Sequence, residues 1–215
     1  MKRLSIILSL MIILISLSGC DSNKYEDDLC IAKPIIYLYP EVEQDVEVKL
    51  GNSEDLTCTY PKYEGSWVVR AKSNGDLVDL KTGRNLYALY WESLSRGIAE
   101  IKEDGFIVKG EDTIPFLEEK LTLLGLTDRE AEEFIVYWLP KMESNEWNYI
   151  RFQTAEEINA NMPLIVTPNP DTVIRVLMEF KGLDEPIEGI KEQHIITPER
   201  KGFTVVEWGG TELGV

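Results

Sequence analysis

Short apolar segments separated by turn residues are the feature that most restricts the fold of this chain. Segments 33–40 (KPIIYLYP), 45–50 (DVEVKL) and 56–60 (LTCTY) are rich in β-branched and aromatic residues. Strand residues alternate between two faces, so DVEVKL places its apolar residues on one face and its charged residues on the other. The pattern predicts β-strands that bury at least one face.

Two turn signals follow these segments. Segment 66–80 contains two further strand patterns on either side of Asn74-Gly75, a dipeptide that tolerates the positive φ of a tight hairpin turn. A second turn, KTGR at 81–84, leads into the strand pattern NLYALYWES at 85–93. These segments together predict an antiparallel meander.

A helical period replaces the alternation at 112–140. Apolar residues recur at spacings of three and four after Thr113, and Gly125 is a stop signal for this first helix. Thr127 and Glu130 have the spacing of a capping box for a second helix, which we expect to end before Pro140. The sequence therefore predicts an αα-hairpin.

Strand patterns resume after the helical hairpin. They lie at 147–153, 163–168, 171–180 and 203–208. The expected fold class is mainly β (α+β), an antiparallel β-sandwich-like body with an inserted αα-hairpin. We expect a single domain over 30–215, or two lobes at 30–110 and 145–215 around the helical hairpin at 112–140.

The N-terminus carries a targeting signal. Two basic residues precede an uncharged apolar stretch at 4–17, which is shorter than the roughly 20 residues that a membrane-spanning helix needs. The tetrapeptide LSGC, which ends at Cys20, resembles the lipobox of bacterial lipoproteins. That resemblance implies a signal peptide at 1–19 and a lipid-modified Cys20 as the first residue of the mature protein; an ordinary secretory peptide is the alternative.

The resemblance to lipoproteins also implies a location. Acyl chains on Cys20 would hold the protein at the outer face of a cell membrane, and the polar segment 20–29 would be an acidic tether. Asp21 resembles the inner-membrane retention signal of Gram-negative lipoproteins, whereas it has no such meaning in a Gram-positive cell. The type of envelope stays open.

The formal net charge of the chain is −16. A surface this acidic repels phosphate backbones, so nucleic acid is not an expected partner. Cys30 and Cys58 remain once Cys20 is assigned to the lipid, and an even number of cysteines outside the cytoplasm predicts a disulfide between them. Two buried free thiols are the alternative, because sequence does not show proximity.

Metal and cofactor chemistry finds no support in the sequence. The single histidine, His194, has no second His or Cys at ligand spacing, which argues against zinc. Calcium would need acidic residues gathered from distant parts of the chain. Neither a nucleophile elbow nor a phosphate-binding loop is present, so we expect no cofactor.

Paired carboxylates are the remaining catalytic possibility. Strand alternation places Glu92 and Glu207 each on the apolar face of its strand, beside aromatic residues. Two such carboxylates within about 5 to 9 Å could serve a glycosidase. Alternatively, each glutamate turns to solvent or pairs with Arg70, Arg175 or Arg200.

Tryptophans on predicted strands suggest a different role. Exposed indole rings could stack on sugar rings or anchor a protein partner. Trp208 and Trp91 are the candidate ligand-binding residues, and Trp208 is preferred because Gly209-Gly210 beside it would let a ligand approach closely. The alternative is that these rings fill the core.

Several segments resemble segments of other bacterial proteins. KPIIYLYP, LTCTYP and GFTVVEWGGTEL resemble a group of uncharacterised extracytoplasmic bacterial proteins, a resemblance that implies no activity or site. The sequence predicts a membrane-anchored, non-catalytic binding or scaffolding module whose partner is a cell-wall glycan or an envelope protein. A carboxylate-based polysaccharide hydrolase and a purely structural protein are the alternatives.

Overall fold

The computed structural model describes residues 30–94 and 100–214, which form three layers. A pair of helices covers one face of an eight-stranded sheet, and a five-stranded sheet covers the other face. This arrangement confirms the predicted α+β fold, a β-sandwich-like body with an inserted αα-hairpin. The predicted signal peptide, Cys20 and the acidic tether lie outside the described residues.

The elements follow one another in this order. The strands are β1 (Cys30–Tyr39), β2 (Gln44–Leu50), β3 (Leu56–Tyr60), β4 (Trp67–Ala71), β5 (Leu77–Asp79), β6 (Asn85–Leu86), β7 (Leu89–Leu94), β8 (Asp104–Lys109), β9 (Trp147–Phe152), β10 (Leu164–Thr167), β11 (Thr172–Leu183), β12 (Lys191–Glu192) and β13 (Thr204–Glu212). The helices are α1 (Thr113–Leu123), α2 (Asp128–Met142) and α3 (Ala155–Asn161), with short 3₁₀ turns at Ser53–Asp55 and Gly110–Asp112.

The strands of the large sheet lie in the order β12-β8-β9-β11-β13-β1-β7-β3, and those of the small sheet in the order β10-β2-β4-β5-β6. Most neighbouring strands are antiparallel, but β11 pairs with β13 and β12 pairs with β8 in parallel. The long connection at 184–203 returns the chain to the same end of the sheet, as a parallel pair requires. Both sheets combine strands from before and after the helical pair, since β2 pairs with β10 and β1 pairs with β13.

Burial of the large sheet on both faces explains the continuous apolar sequence of β1. Ile35 and Tyr37 face the helices, whereas Ile36 and Leu38 face the small sheet. A strand covered on both sides needs apolar residues at successive positions. The small sheet is covered on one face only, and β2 accordingly alternates between buried apolar and more exposed polar residues, as predicted.

The predicted meander is divided between the two sheets. β4, β5 and β6 are consecutive antiparallel neighbours in the small sheet, and the turn between β4 and β5 has φ of +88° at Gly75. The next strand, β7, joins the large sheet between β1 and β3. The prediction of one continuous meander is wrong, because alternation identifies strands but does not assign them to a sheet.

Helices α1 and α2 form the predicted hairpin. The Thr127 hydroxyl accepts a hydrogen bond from the Glu130 N–H, and the Glu130 carboxylate accepts one from the Thr127 N–H, at 3.4 and 2.8 Å. The capping box is therefore confirmed. α2 runs past Pro140 to Met142, because buried Trp138 and Met142 hold its last turn against the sheet despite the missing proline N–H. No helix within 30–94 and 100–214 is both long and apolar enough to cross a membrane.

Candidate ligand-binding cleft

Glu207, one of the two predicted catalytic glutamates, is held inside the protein by an ion pair. Its side chain is fully buried on the face of the large sheet that packs on the small sheet. One carboxylate oxygen accepts a hydrogen bond from Trp91 Nε1 at 2.9 Å, and the other accepts one from Arg175 Nε at 2.5 Å. The alternative expectation, that Glu207 pairs with an arginine, is confirmed.

Glu92 lies on the opposite face of the same sheet. Its neighbour Trp91 points toward Glu207 and the small sheet, so strand alternation turns Glu92 and Tyr90 toward the helices. The Glu92 carboxylate accepts a hydrogen bond from the Lys33 N–H at 3.4 Å. The structure therefore does not bring Glu92 and Glu207 into one cleft, and the predicted carboxylate pair is wrong.

The two predicted ligand-binding tryptophans are core residues. Trp91 and Trp208 have no exposed surface. The Trp208 ring packs on Phe134 with centroids 5.4 Å apart, and its Nε1 donates to the Tyr37 hydroxyl at 3.2 Å. A Cβ at Gly210 would meet the Trp138 ring at 2.8 Å, so this glycine permits internal packing. The prediction that these indoles meet a ligand is wrong, because the large sheet is covered on both faces.

The predicted disulfide does not fit the strand order. Cys30 pairs with Leu94 on β7, and Cys58 pairs with Glu92 on the other side of β7. Two strand spacings separate their backbones by roughly 10 Å, whereas the Cα atoms of a disulfide lie about 4.4 to 6.8 Å apart. Cys58 is a free and exposed thiol. The disulfide prediction is therefore wrong.

The structure places His194 on the surface, in the connection that precedes β13. Within the described part of the chain, no group of three or more His, Cys, Asp or Glu residues could hold a metal ion.

A cleft opens where the three layers meet, at one end of β1. We call it the tyrosine cleft, and its volume is about 430 Å³, which is within the usual range for small-ligand sites. Its lining consists of Tyr37, Tyr39, Asn74, Gly75, Asp76, Tyr87, Thr127, Arg129, Arg200, Gly202 and Thr204. These residues come from both sheets, the start of α2 and the connection before β13.

Three tyrosines form a row in this cleft. The Tyr37 and Tyr39 rings are stacked with centroids 6.3 Å apart, and the Tyr37 and Tyr87 rings are tilted at the same separation. Tyr37 is buried at the floor, whereas Tyr87 is 50% exposed. The Arg129 guanidinium lies 5.8 Å from the Tyr87 centroid, and that of Arg200 lies 5.7 Å from the Tyr39 centroid. Each outer tyrosine thus has a cation–π partner.

Local sequence explains how these side chains meet. Alternation along β1 puts Tyr37 and Tyr39 on the same face of the large sheet. Gly75 lets the hairpin of the small sheet reach this face, since a Cβ there would lie 2.7 Å from the Tyr39 ring. Tyr87 lies between β6 and β7, where the chain passes from the small sheet to the large one. The N-terminus of α2 supplies Arg129.

Two glutamates hold the polar groups of the cleft in place. Arg200 donates to the Gly125 carbonyl at 3.0 Å and to the Glu130 carboxylate. Glu133 accepts hydrogen bonds from Tyr37 Oη at 2.6 Å and from Arg129 Nε at 3.3 Å. These contacts fix the floor of the cleft and the position of both guanidinium groups.

Tyr37 and Tyr39 keep their protons. Burial, reinforced by the neighbouring Glu133 carboxylate, raises the pKa of Tyr37 far above its usual value. Burial and Glu130 raise the pKa of Tyr39 in the same way. Both phenols are therefore neutral hydrogen-bond donors at physiological pH, and the charges at the cleft belong to its arginines and carboxylates.

None of the site residues predicted from the sequence lines the tyrosine cleft. The sequence predicts three of its parts as elements of secondary structure only: the KPIIYLYP strand, the Asn74-Gly75 turn and the Thr127 cap. Nothing in the sequence indicates that these three parts converge. Comparison of the chain with protein-family models, with curated proteins and with solved structures gives no match.

Proposed function

We propose that this protein is an extracytoplasmic lipoprotein, anchored through Cys20 at the outer face of a cell membrane, that binds a cell-surface saccharide in the tyrosine cleft. The basic start, the apolar stretch at 4–17 and the LSGC tetrapeptide support the anchor. The cleft supports the binding function. The body is a binding module and leaves its ligand chemically unchanged.

One observation carries the saccharide proposal: an accessible aromatic ring lies beside a polar rim. A sugar ring has apolar C–H faces and an edge of hydroxyl groups. The half-exposed Tyr87 ring offers an apolar surface to such a face. Asn74, Asp76 and Thr127 offer hydrogen-bond donors and acceptors to the hydroxyl edge.

The carboxylates near the cleft support binding rather than hydrolysis. Glycoside hydrolysis generally needs two carboxyl groups that flank the scissile bond, one of them able to donate a proton. Glu130 is buried and bonded to Arg200, and Glu133 is bonded to Arg129 and Tyr37. These carboxylates stabilise the cleft and are already engaged. Glu92 and Glu207 lie on opposite faces of a sheet and form no second pair.

The binding proposal is tested with the full-length protein purified in detergent and a panel of cell-wall oligosaccharides. A saccharide that binds the native state raises the thermal midpoint, and the rise grows with saccharide concentration. Tyr87→Ala should abolish the rise, whereas Tyr60→Ala should retain it, because Tyr60 is 48% exposed but lies outside the cleft lining. A panel without any shift, or a shift that survives Tyr87→Ala, would refute the proposal.

The anchor is tested separately in intact cells. Wild-type protein should incorporate a labelled fatty acid and sediment with membranes, whereas Cys20→Ala should do neither. Label that persists in Cys20→Ala would place the lipid elsewhere, and a wild-type protein without label would refute the anchor.

A further inference from the structure

We infer, building on the proposed saccharide-binding function, that the saccharide carries carboxylate groups and that Arg129 and Arg200 bind them. Both guanidinium groups face the cleft beside the outer tyrosines of the row. The ligand class is therefore a uronic-acid-containing oligosaccharide, whose rings contact tyrosines and whose carboxylates contact arginines.

The first argument is the unused hydrogen-bonding capacity of Arg129. A guanidinium group has five N–H donors. Within the described part of the chain, Arg129 forms hydrogen bonds through Nε alone, to Glu133. Its side chain is 75% exposed, so both terminal nitrogens are available to a ligand in the cleft. Two parallel N–H groups match the geometry of a carboxylate.

Arg200 provides a second, more rigid donor. Its Nε and Nη2 atoms are bonded to Gly125 and Glu130, while its Nη1 has no hydrogen-bond partner among the described residues. By contrast, Arg151 uses Nε, Nη1 and Nη2 for carboxylates of three different residues. The arginines of the cleft therefore keep donors that Arg151 uses for internal ion pairs.

The negative groups around the cleft determine where a ligand carboxylate can lie. Glu130 is buried and paired with Arg200, and Glu133 is bonded to Arg129 and to the floor residue Tyr37, so both counter-charges are already engaged. Asp76, which also lines the cleft, is exposed in the hairpin of the small sheet, where it accepts a hydrogen bond from Asn74 Nδ2 at 2.9 Å. Asp76 would repel a carboxylate and accept hydroxyl hydrogen bonds. A uronate is thus oriented with its acid group toward the arginines.

The overall negative charge of the protein restricts binding of an acidic saccharide to the cleft. With a formal net charge of −16, most of the surface repels an acidic polysaccharide. Arg129 and Arg200 therefore create a local attraction for an acidic saccharide, and a neutral saccharide does not experience it. Salt should weaken this attraction, since screening at about 0.1 M acts over about 10 Å.

The experiment compares acidic saccharides with their uncharged counterparts on the full-length protein in detergent. The probes are trimers of galacturonate, mannuronate and glucuronate, each beside its methyl ester, which keeps the ring and removes the charge. For at least one sugar, the acid should bind at least about tenfold more tightly than the ester, as expected for a charge-assisted hydrogen bond. Arg129→Gln should reduce this preference by about threefold or more, while Arg200 retains part of it.

Two further variants keep the result interpretable. Arg70→Gln is the matched control, because Arg70 is an exposed arginine paired with Asp45 outside the cleft, and it should leave the preference unchanged. Glu133→Gln removes a competing carboxylate and should strengthen binding of the acid form. The thermal midpoint of each variant confirms that it is folded.

The outcomes separate this inference from the proposed function. Equal binding of acid and ester, or a preference that Arg129→Gln leaves unchanged, overturns the inference while saccharide binding stands. Absence of binding by acids, esters and neutral oligosaccharides alike overturns both.

Discussion

Removal of Arg175 should destabilise the protein strongly, because it leaves a carboxylate buried without its cation. The Arg175 side chain is 5% exposed and that of Glu207 is 0% exposed. Breaking a buried ion pair by deleting one partner typically costs about 3 to 5 kcal/mol. Arg175→Met should therefore lower the free energy of unfolding by about that amount, which is a large part of the roughly 5 to 15 kcal/mol that holds a domain folded.

The loss should extend to α3. Arg175 Nη1 donates to Asn159 Oδ1 at 2.8 Å and to the Met162 carbonyl at 2.9 Å, which ties the end of this helix to the large sheet. Methionine keeps much of the apolar stem of arginine but none of these donors. Hydrogen exchange of the α3 amides should accelerate more than that of α2 amides, in addition to the global effect.

Urea unfolding at pH 7 measures the effect, with two comparisons. Arg70→Met removes an exposed ion pair of similar geometry, with Arg70 Nε 2.8 Å from Asp45 Oδ1, and should cost less than about 1 kcal/mol. The double variant Arg175→Met/Glu207→Gln removes the buried charge as well and should recover part of the loss. If Arg175→Met costs no more than Arg70→Met, or if the double variant is the less stable one, the explanation by an uncompensated charge is refuted.

Three other predictions concern Glu157, Gly210 and Cys58. Burial opposes ionisation of Glu157, but hydrogen bonds from Thr154 and Arg151 outweigh this effect and lower the pKa of its carboxyl group. The ionised Glu157 therefore contributes stability that is complete above its unfolded-state pKa of about 4.3 and is lost as pH falls through its folded-state pKa. Glu157→Gln should therefore flatten the stability profile below about pH 5 in acid titration of unfolding. Gly210→Ala should cost about 1 to 3 kcal/mol in urea unfolding, because its Cβ would lie 2.8 Å from a backbone oxygen and an indole ring, whereas Gly214→Ala meets no atom within 4 Å and should be neutral. Cys58 should react with a maleimide in the native state, and a Cys58 protected until denaturation would contradict its assignment as a free, exposed thiol.

Signals confined to a few neighbouring residues could be predicted from the sequence. The Asn74-Gly75 hairpin and the Thr127/Glu130 capping box each depend on contacts within one turn, and both are present. The same capping box occurs at Thr154 and Glu157, where it starts α3. That helix was not predicted, although a search for every T-x-x-E spacing would have found its first turn.

Long-range pairing could not be predicted, and this affected the candidate catalytic site. The strand period correctly placed Glu207 with Val205 and Glu92 with Tyr90. A period of two defines the faces of one strand, but it does not say which faces of two strands coincide. That relation depends on register across the sheet, where Glu207 meets Trp91 instead of Glu92. Two correct assignments within strands therefore gave a wrong pair between strands.

The layers that cover the large sheet determine where a ligand can reach it. Helices cover one face and the small sheet covers the other, so tryptophans in the middle of β7 and β13 are fully buried. Tyr39 and Tyr87 lie where the chain leaves one sheet for the other, and Tyr87 is 50% exposed there. These crossings are the places where the cover of the large sheet ends. In this protein the accessible ring of Tyr87 therefore lies at the rim between layers, in the tyrosine cleft, rather than in the middle of the sheet.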